Sequence, residues 1–142
     1  MSSEFAPLTG QCMCGAVRLE VSAPLLKALY CHCKRCQRRT GSAFSVNALT
    51  EPGSLTVTQG SDSVRTYRPG DGGWHKSYCA ECGSALFTAN PANPELKGVR
   101  LGVLDSDPGI RPSAHQFVDY APEWAPVPDD GLPRFPERIV LN

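Results

Sequence analysis

Seven cysteines in three groups constrain this chain more than any other feature. Cys12 and Cys14 form the first group, Cys31, Cys33 and Cys36 the second, and Cys79 and Cys82 the third. A structural zinc site is closed by four protein ligands, whereas a catalytic zinc keeps three and leaves one position open. Seven thiols therefore divide as four plus three. The outer pairs suit one closed site, and the central stretch Cys31-His32-Cys33-Lys34-Arg35-Cys36 suits an open one. Other uses compete with this division. The central cysteines could share in the closed site or be scattered structural thiols, although three in six residues fit plain core packing poorly. Three disulfides plus one free thiol is a further arrangement. An odd count disfavours it, and so does the lack of a basic and then apolar opening in residues 1–7, which points to a reducing, cytoplasmic setting.

Around the cysteines the pattern is that of short strands. Val17, Leu19 and Val21 alternate with Arg18, Glu20 and Ser22, which predicts a half-buried strand over 16–21. If extended geometry reaches back through Cys12 and Cys14, both thiols point to one side, and Gly15 eases the turn that follows. A second strand over 25–30 leads into the central stretch. Residues 33–39 are reasonable helix formers with Gly41 as a stop, so one short helix is expected there. Thiolates near its first turn would gain from the helix dipole. From 43 to 104, strands at 43–49, 54–59, 64–67, 74–78, 86–88 and 99–104 are separated by turn signals, with loops at 69–73 and 90–94. A last strand is expected at 114–120. Five prolines within 122–136 exclude regular helix or central strand, leaving an irregular tail over about 122–142 anchored by Trp124, Leu132 and Phe135. The expected class is all-β, several short antiparallel sheets with one helix, forming a single zinc-binding domain over 1–142.

Charge narrows the function. The 14 Lys and Arg residues balance 14 Asp and Glu residues, so a broad attraction to nucleic acid or to an anionic membrane is not expected. The basic side chains of Lys34, Arg35, Arg38 and Arg39 nevertheless cluster on the central stretch. Lys34 and Arg35 offset the charge of a thiolate site or bind substrate carboxylates; a solvated helix face is the plainer alternative. Cys79-x-x-Cys82-Gly83 has the spacing of a zinc knuckle, and a redox pair would need a βαβ setting that this β-rich stretch lacks. A zinc held by three thiolates carries a net charge near −1. Such a centre suits holding a thiol as its thiolate, or positioning a carbonyl, better than strong Lewis-acid chemistry. His32, between two candidate ligands, points away from the metal in an extended chain and is a supporting residue, an acid–base group or a plain surface histidine. His75 and His115 are read as structural.

Taken together, the motifs resemble the glutathione-dependent formaldehyde-activating enzyme family, also called centromere-protein-V-like. The matching stretches are Gly10-Gln11-Cys12-Met13-Cys14-Gly15, Cys31 to Gln37 with Gly41, and Tyr78-Cys79-Ala80-Glu81-Cys82-Gly83-Ser84. Ala114-His115-Gln116-Phe117, Trp124, and Gly131-Leu132-Pro133-Arg134-Phe135 complete the match. The resemblance implies an Mss4-like β fold with two Zn²⁺ ions. Cys12, Cys14, Cys79 and Cys82 would hold the structural ion, and Cys31, Cys33 and Cys36 the catalytic one. It also implies addition of glutathione to formaldehyde, giving S-hydroxymethylglutathione, a carbon–sulfur lyase activity. The implied partners are a small aldehyde and a thiol, with neither membrane nor nucleic acid expected. The alternative is a non-catalytic zinc domain that binds a protein partner or carries metal. Tyr78 stands where the family commonly has Phe.

Overall fold

The computed structural model describes residues 5–139. In chain order β1 (Leu8–Gln11) and β2 (Arg18–Val21) form a hairpin, followed by β3 (Lys27–Cys31) and the helix α1 (Lys34–Thr40). Next come β4 (Ser45–Leu49), β5 (Leu55–Gln59), β6 (Val64–Tyr67) and β7 (His75–Cys79). The strands β8 (Ala85–Asn90), β9 (Asn93–Arg100), β10 (Pro112–Gln116) and β11 (Arg134–Phe135) complete the described chain. The all-β class with one short helix is borne out, and the strands gather into two sheets. One has three strands in the order β1-β2-β5; the other has eight, in the order β11-β10-β3-β4-β9-β8-β7-β6.

The alternation in β2 performs as its sequence requires: Leu19 and Val21 are buried and Arg18 is exposed. They join Leu8 and Leu55 from the small sheet, Val17 just before β2, and Ala48, Leu86 and Val99 from the large sheet in a single apolar cluster. Each fully buried Leu or Val contributes about 1.5–3 kcal/mol relative to exposure. Gly10 permits β1 to lie close against the 3₁₀ turn Leu101–Val103, because a Cβ there would stand 2.5 Å from the Val103 carbonyl oxygen. One cysteine cluster, described below, also joins the segment after β1 to the end of β7.

Among the boundaries that differ from expectation, two strand ends do so for reasons visible in the backbone. The strand expected at 99–104 ends at Arg100, where the 3₁₀ turn begins, and it starts instead at Asn93. Pro94 is tolerated inside β9 because β4 pairs only with Gly98, Val99 and Arg100, so at Pro94 the strand has a free edge on that side. The strand expected to reach Tyr120 stops at Gln116, since Phe117 turns to φ 58° and a 3₁₀ turn follows at Val118–Tyr120.

The large sheet is mixed rather than wholly antiparallel, because β10 lies parallel to both β3 and β11. The proline-rich tail obeys its constraint by forming only a two-residue edge strand, β11. Phe135 and Ile139 pack with Leu29 and Ala114, and Leu132 is half-buried. Trp124 is not an anchor: it is 72% exposed. A turn closed by the Ala125 N–H on the Pro122 carbonyl (3.1 Å) places it at the apex, facing outward. Residues 140–142 of the expected tail lie outside the described residues.

Candidate metal centres and the adjoining cleft

Cys12 follows β1 and Cys14 lies in the turn after it, while Cys79 ends β7 and Cys82 lies in the next turn. Their four Sγ atoms all lie within 4.8 Å of one another. Cys12 and Cys14 are 3.6 Å apart, and Cys14 and Cys79 are 3.9 Å apart. A disulfide needs about 2.05 Å. Tetrahedral zinc with Zn–S of about 2.3 Å needs sulfurs about 3.8 Å apart, so the donor set fits that metal. Both turns resemble knuckles. Gly15 and Gly83 take φ of 80° and 81°, and the Gly83 N–H returns to the Cys79 carbonyl at 2.7 Å. Ser84 ties the two turns together, its Oγ accepting from Met13 N–H at 2.9 Å and lying 3.2 Å from Cys82 Sγ. Hydrogen bonds from the Ser84 hydroxyl and N–H hold the Cys82 thiol down to about 5. Cys14 is pushed up to about 12: the Ala16 N–H favours its thiolate, but desolvation and the neighbouring sulfurs outweigh it.

The central cluster is built at a strand-to-helix switch. Cys31 ends β3, Cys33 caps α1 by accepting the Cys36 N–H at 3.3 Å, and Cys36 sits in the first turn. Because Cys33 is the cap, the helix runs one residue later than expected. Gly41 ends it at φ 69° with its N–H on the Gln37 carbonyl. The three Sγ atoms again lie within 4.8 Å of one another. Hydrogen bonds from the thiols of Cys31 and Cys36 hold Cys33 down to about 2. Cys31 is pushed up by Cys33 and Cys36 together with burial. Cys36 is raised as well, since Cys33 and burial outweigh its hydrogen bond with Cys31. Within the trio the hydrogen bonds favour the thiolate of Cys33. The donor set fits a soft cation that would displace the thiol protons.

Unlike the first cluster, this one borders a cleft of about 550 Å³, and none of Cys12, Cys14, Cys79 or Cys82 lines it. Trp74, Phe117 and Tyr120 supply aromatic wall. Among the described residues, the cations Lys27, Lys34, Arg35, Lys76, Arg100 and Arg138 line it against a single acid, Asp71. Asp71 is bound to Arg35, whose guanidinium, helped by the Gly73 N–H, holds the carboxyl down to about 2. Of the four cations seen in the central stretch, Lys34 and Arg35 reach the cleft. Arg39 instead lies over the Tyr78 ring at 5.0 Å. Lys27, Lys76, Arg100 and Arg138 were not singled out in the sequence, being dispersed over β3, β7, β9 and the tail.

His32 is neither on the surface nor beside a thiol. It is 2% exposed, and its Nε2 lies 2.9 Å from Nδ1 of His115, which is 1% exposed. His115 Nε2 in turn lies 2.8 Å from an Asp130 oxygen. A carboxylate only accepts, so His115 carries its proton on Nε2 and accepts at Nδ1, and His32 donates from Nε2. Burial, with His115 and Arg134 nearby, pushes the His32 pKa down and keeps it neutral. Tyr30 stacks on His115 at 4.7 Å and 13°. Gln37, also buried, donates through Nε2 to the carbonyls of His32 and Tyr120. These contacts fix the backbone between Cys31 and Cys33. His75 opens β7, half-buried, and lines neither cluster nor cleft.

The cysteine groups, their order and the β scaffold agree with comparison to known proteins. A family model described as glutathione-dependent formaldehyde-activating enzyme matches residues 7–120, which include all seven cysteines. This chain belongs to that family. Similar to this family member is a Halomonas elongata protein provisionally named a glutathione-dependent formaldehyde-activating enzyme. The two are 28% identical over 157 residues, covering 95% of this chain and 98% of the relative. A crystal structure of a Rhodobacter sphaeroides protein has a similar fold, with a TM-score of 0.59 and 27% identity over 89% of this chain and 98% of that one. The family read from the cysteine motifs is thus borne out. No helix among the described residues is long and apolar enough to cross a membrane.

Proposed function

We propose that this family member is a zinc-dependent carbon–sulfur lyase-type enzyme that adds a thiol, glutathione by family kinship, to a small aldehyde such as formaldehyde. In this reading Cys12, Cys14, Cys79 and Cys82 hold one structural Zn²⁺, and Cys31, Cys33 and Cys36 hold a second, catalytic one. The observation that carries the assignment is the difference in setting: the three-cysteine cluster borders a cleft large enough for a small molecule, and the four-cysteine cluster does not. Zinc, when bound there, supplies positive charge that favours an ionised thiol and polarises a carbonyl.

The chain's own residues do the positioning. The strand-to-helix switch gathers three sulfurs on one side of the cleft, and the buried link from His32 through His115 to Asp130 keeps that switch rigid. Trp74, Phe117 and Tyr120 present apolar wall that sheds water from the reactants. The substrate thiol gives up its proton, its sulfur bonds to the carbonyl carbon, and the carbonyl oxygen takes a proton as its double bond opens. Holding both reactants in one cleft removes much of the entropic cost of their meeting. We place this chemistry in a single domain over 1–142 acting in the cytoplasm, where unbridged cysteines persist, on small-molecule partners alone.

Exchange NMR on formaldehyde and glutathione, with and without the zinc-loaded protein, tests the reaction. Faster exchange in its presence is the expected result. An unchanged rate rejects this pair of substrates.

A further inference from the structure

We propose that Arg100 and Lys76 form a carboxylate-binding subsite in the cleft, so that the substrate this site takes is an anion. Arg100 ends β9 in register with Asn47 of β4. It is only 7% exposed, yet it lines the cleft together with Asn47. Its Nε and Nη1 find no hydrogen-bond partner among the described residues, and neither does Asn47 Oδ1. A guanidinium cannot shed its proton, so a buried one normally faces an anion or a set of carbonyls. Here two of its nitrogens face neither.

The surroundings sharpen the point. Lys76 projects from β7 into the same cleft and donates to the Trp74 carbonyl at 2.9 Å, which leaves it two further protons to give. Desolvation lowers the Lys76 pKa, and Arg35 and Arg100 act on it as like charges, while Cys36 and Cys33 act in the opposite sense. Arg39 approaches Arg100 from α1, its Nε and Nη2 also buried without a partner among the described residues. Among the described residues no carboxylate of the cleft is left to answer these cations, because Asp71 is engaged by Arg35. Three thiolates around one divalent ion would carry a net charge near −1, less than the charge of Arg39, Lys76 and Arg100 together. Positive charge remains in excess, in a partly dry site where it acts strongly. A chain with no net charge thus concentrates a cationic field in one cleft. Nε and Nη1 are sealed from solvent, so a substrate carboxylate in the cleft would meet Arg100 at Nη2 through a charge-assisted hydrogen bond and offset the charge of the whole guanidinium.

The inference rests on the cleft being the substrate site and not on the reaction run there. The carboxylate belongs either to the thiol or to the aldehyde, and calorimetry with unreactive or single partners separates the two. The probes are S-methylglutathione, which keeps two carboxylates and has no free thiol, its dimethyl ester, and glyoxylate as a carboxylated aldehyde. In the full-length zinc-loaded protein, Arg100→Met should weaken S-methylglutathione binding at least tenfold while weak binding of the ester is unchanged. That loss assigns the carboxylate to the thiol; a loss confined to glyoxylate assigns it to the aldehyde. Lys76→Met, at a half-buried position, should weaken the same acid several-fold and carries the test if circular dichroism shows Arg100→Met to be misfolded. Equal loss for acid and ester overturns the subsite. So do unchanged binding in both variants and failure of both acids to bind the unaltered protein. Carboxylate binding without thiol–aldehyde exchange would reject the proposed reaction alone; exchange with acid binding indifferent to both substitutions would reject the subsite alone.

Discussion

The two cysteine clusters use the same side chain to opposite ends. The four-cysteine cluster draws its thiols from segments 65 residues apart, one following a strand of the small sheet and the other ending a strand of the large one. Its Cys12 and Cys79 are part of the main apolar cluster. The three-cysteine cluster comes from six consecutive residues on one strand–helix switch and faces the cleft. A site assembled from distant segments welds topology, here with Cys12 and Cys79 buried and Cys14 at the surface. A site made by one segment leaves a side free, and needs outside support to stay in place. That support comes from the buried histidine pair and Gln37.

Breaking each cluster separately tests this contrast. Cys82→Ser should produce the largest effect. Metal binding at structural zinc sites is itself folding free energy, about 10–16 kcal/mol in zinc-finger peptides, against a total stability of about 5–15 kcal/mol for a typical domain. A cooperative thermal transition by circular dichroism should be absent. Cys36→Ser should retain that transition yet lower thiol–aldehyde exchange by at least about 100-fold, the upper end of what loss of a merely supporting group costs at a metal site. Metal analysis should give two zincs per unaltered chain and one after this substitution. One zinc in the unaltered chain, or equal unfolding by both serine variants, would erase the distinction.

A smaller effect is expected from His115→Phe, which strands the His32 N–H and frees Asp130. Leaving a buried donor unsatisfied costs about 1–3 kcal/mol, read as a lower urea midpoint with zinc content unchanged. The smallest concerns the cleft's rim. The Asp71 carboxyl sits at about 2, below its ordinary 3.8, because Arg35 and the Gly73 N–H favour its charged form. Its contribution to stability is therefore complete above about pH 4 and disappears as pH falls toward 2. Asp71→Asn should be slightly less stable than the parent at neutral pH, with the difference closing over that interval in acid-unfolding curves. A difference persisting at pH 2 would mean that the ion pair is not its source.

What could be read from the chain depended on how local the cause was. The cysteine groups, the short helix and strands such as β2 and β6 declare themselves within a few residues, through spacing, alternation or a terminating glycine. The parallel lie of β10 on β3 does not, because its register depends on segments about eighty residues apart. His32 illustrates the cost. Extended geometry sends it away from the thiols, but nothing nearby announces that His115 and Asp130 wait on the other side. Arg100 escaped notice similarly, as one cation at the end of a strand whose significance lies in neighbours on β4, β7 and α1. Trp124 erred in the other direction: its size argues for burial, and a local turn between prolines overrides it.

The link between His32 and His115 spans 83 residues, and its last member, Asp130, lies 15 residues further on. The six-residue thiol stretch therefore leaves the ribosome long before its support exists. At about 5–20 residues per second, synthesis of the intervening chain takes on the order of 5–20 s. During that interval three neighbouring thiols are held by a strand that lacks its parallel partner. The three-cysteine cluster is thus secured only late in synthesis, and order of emergence joins geometry as a condition of its assembly.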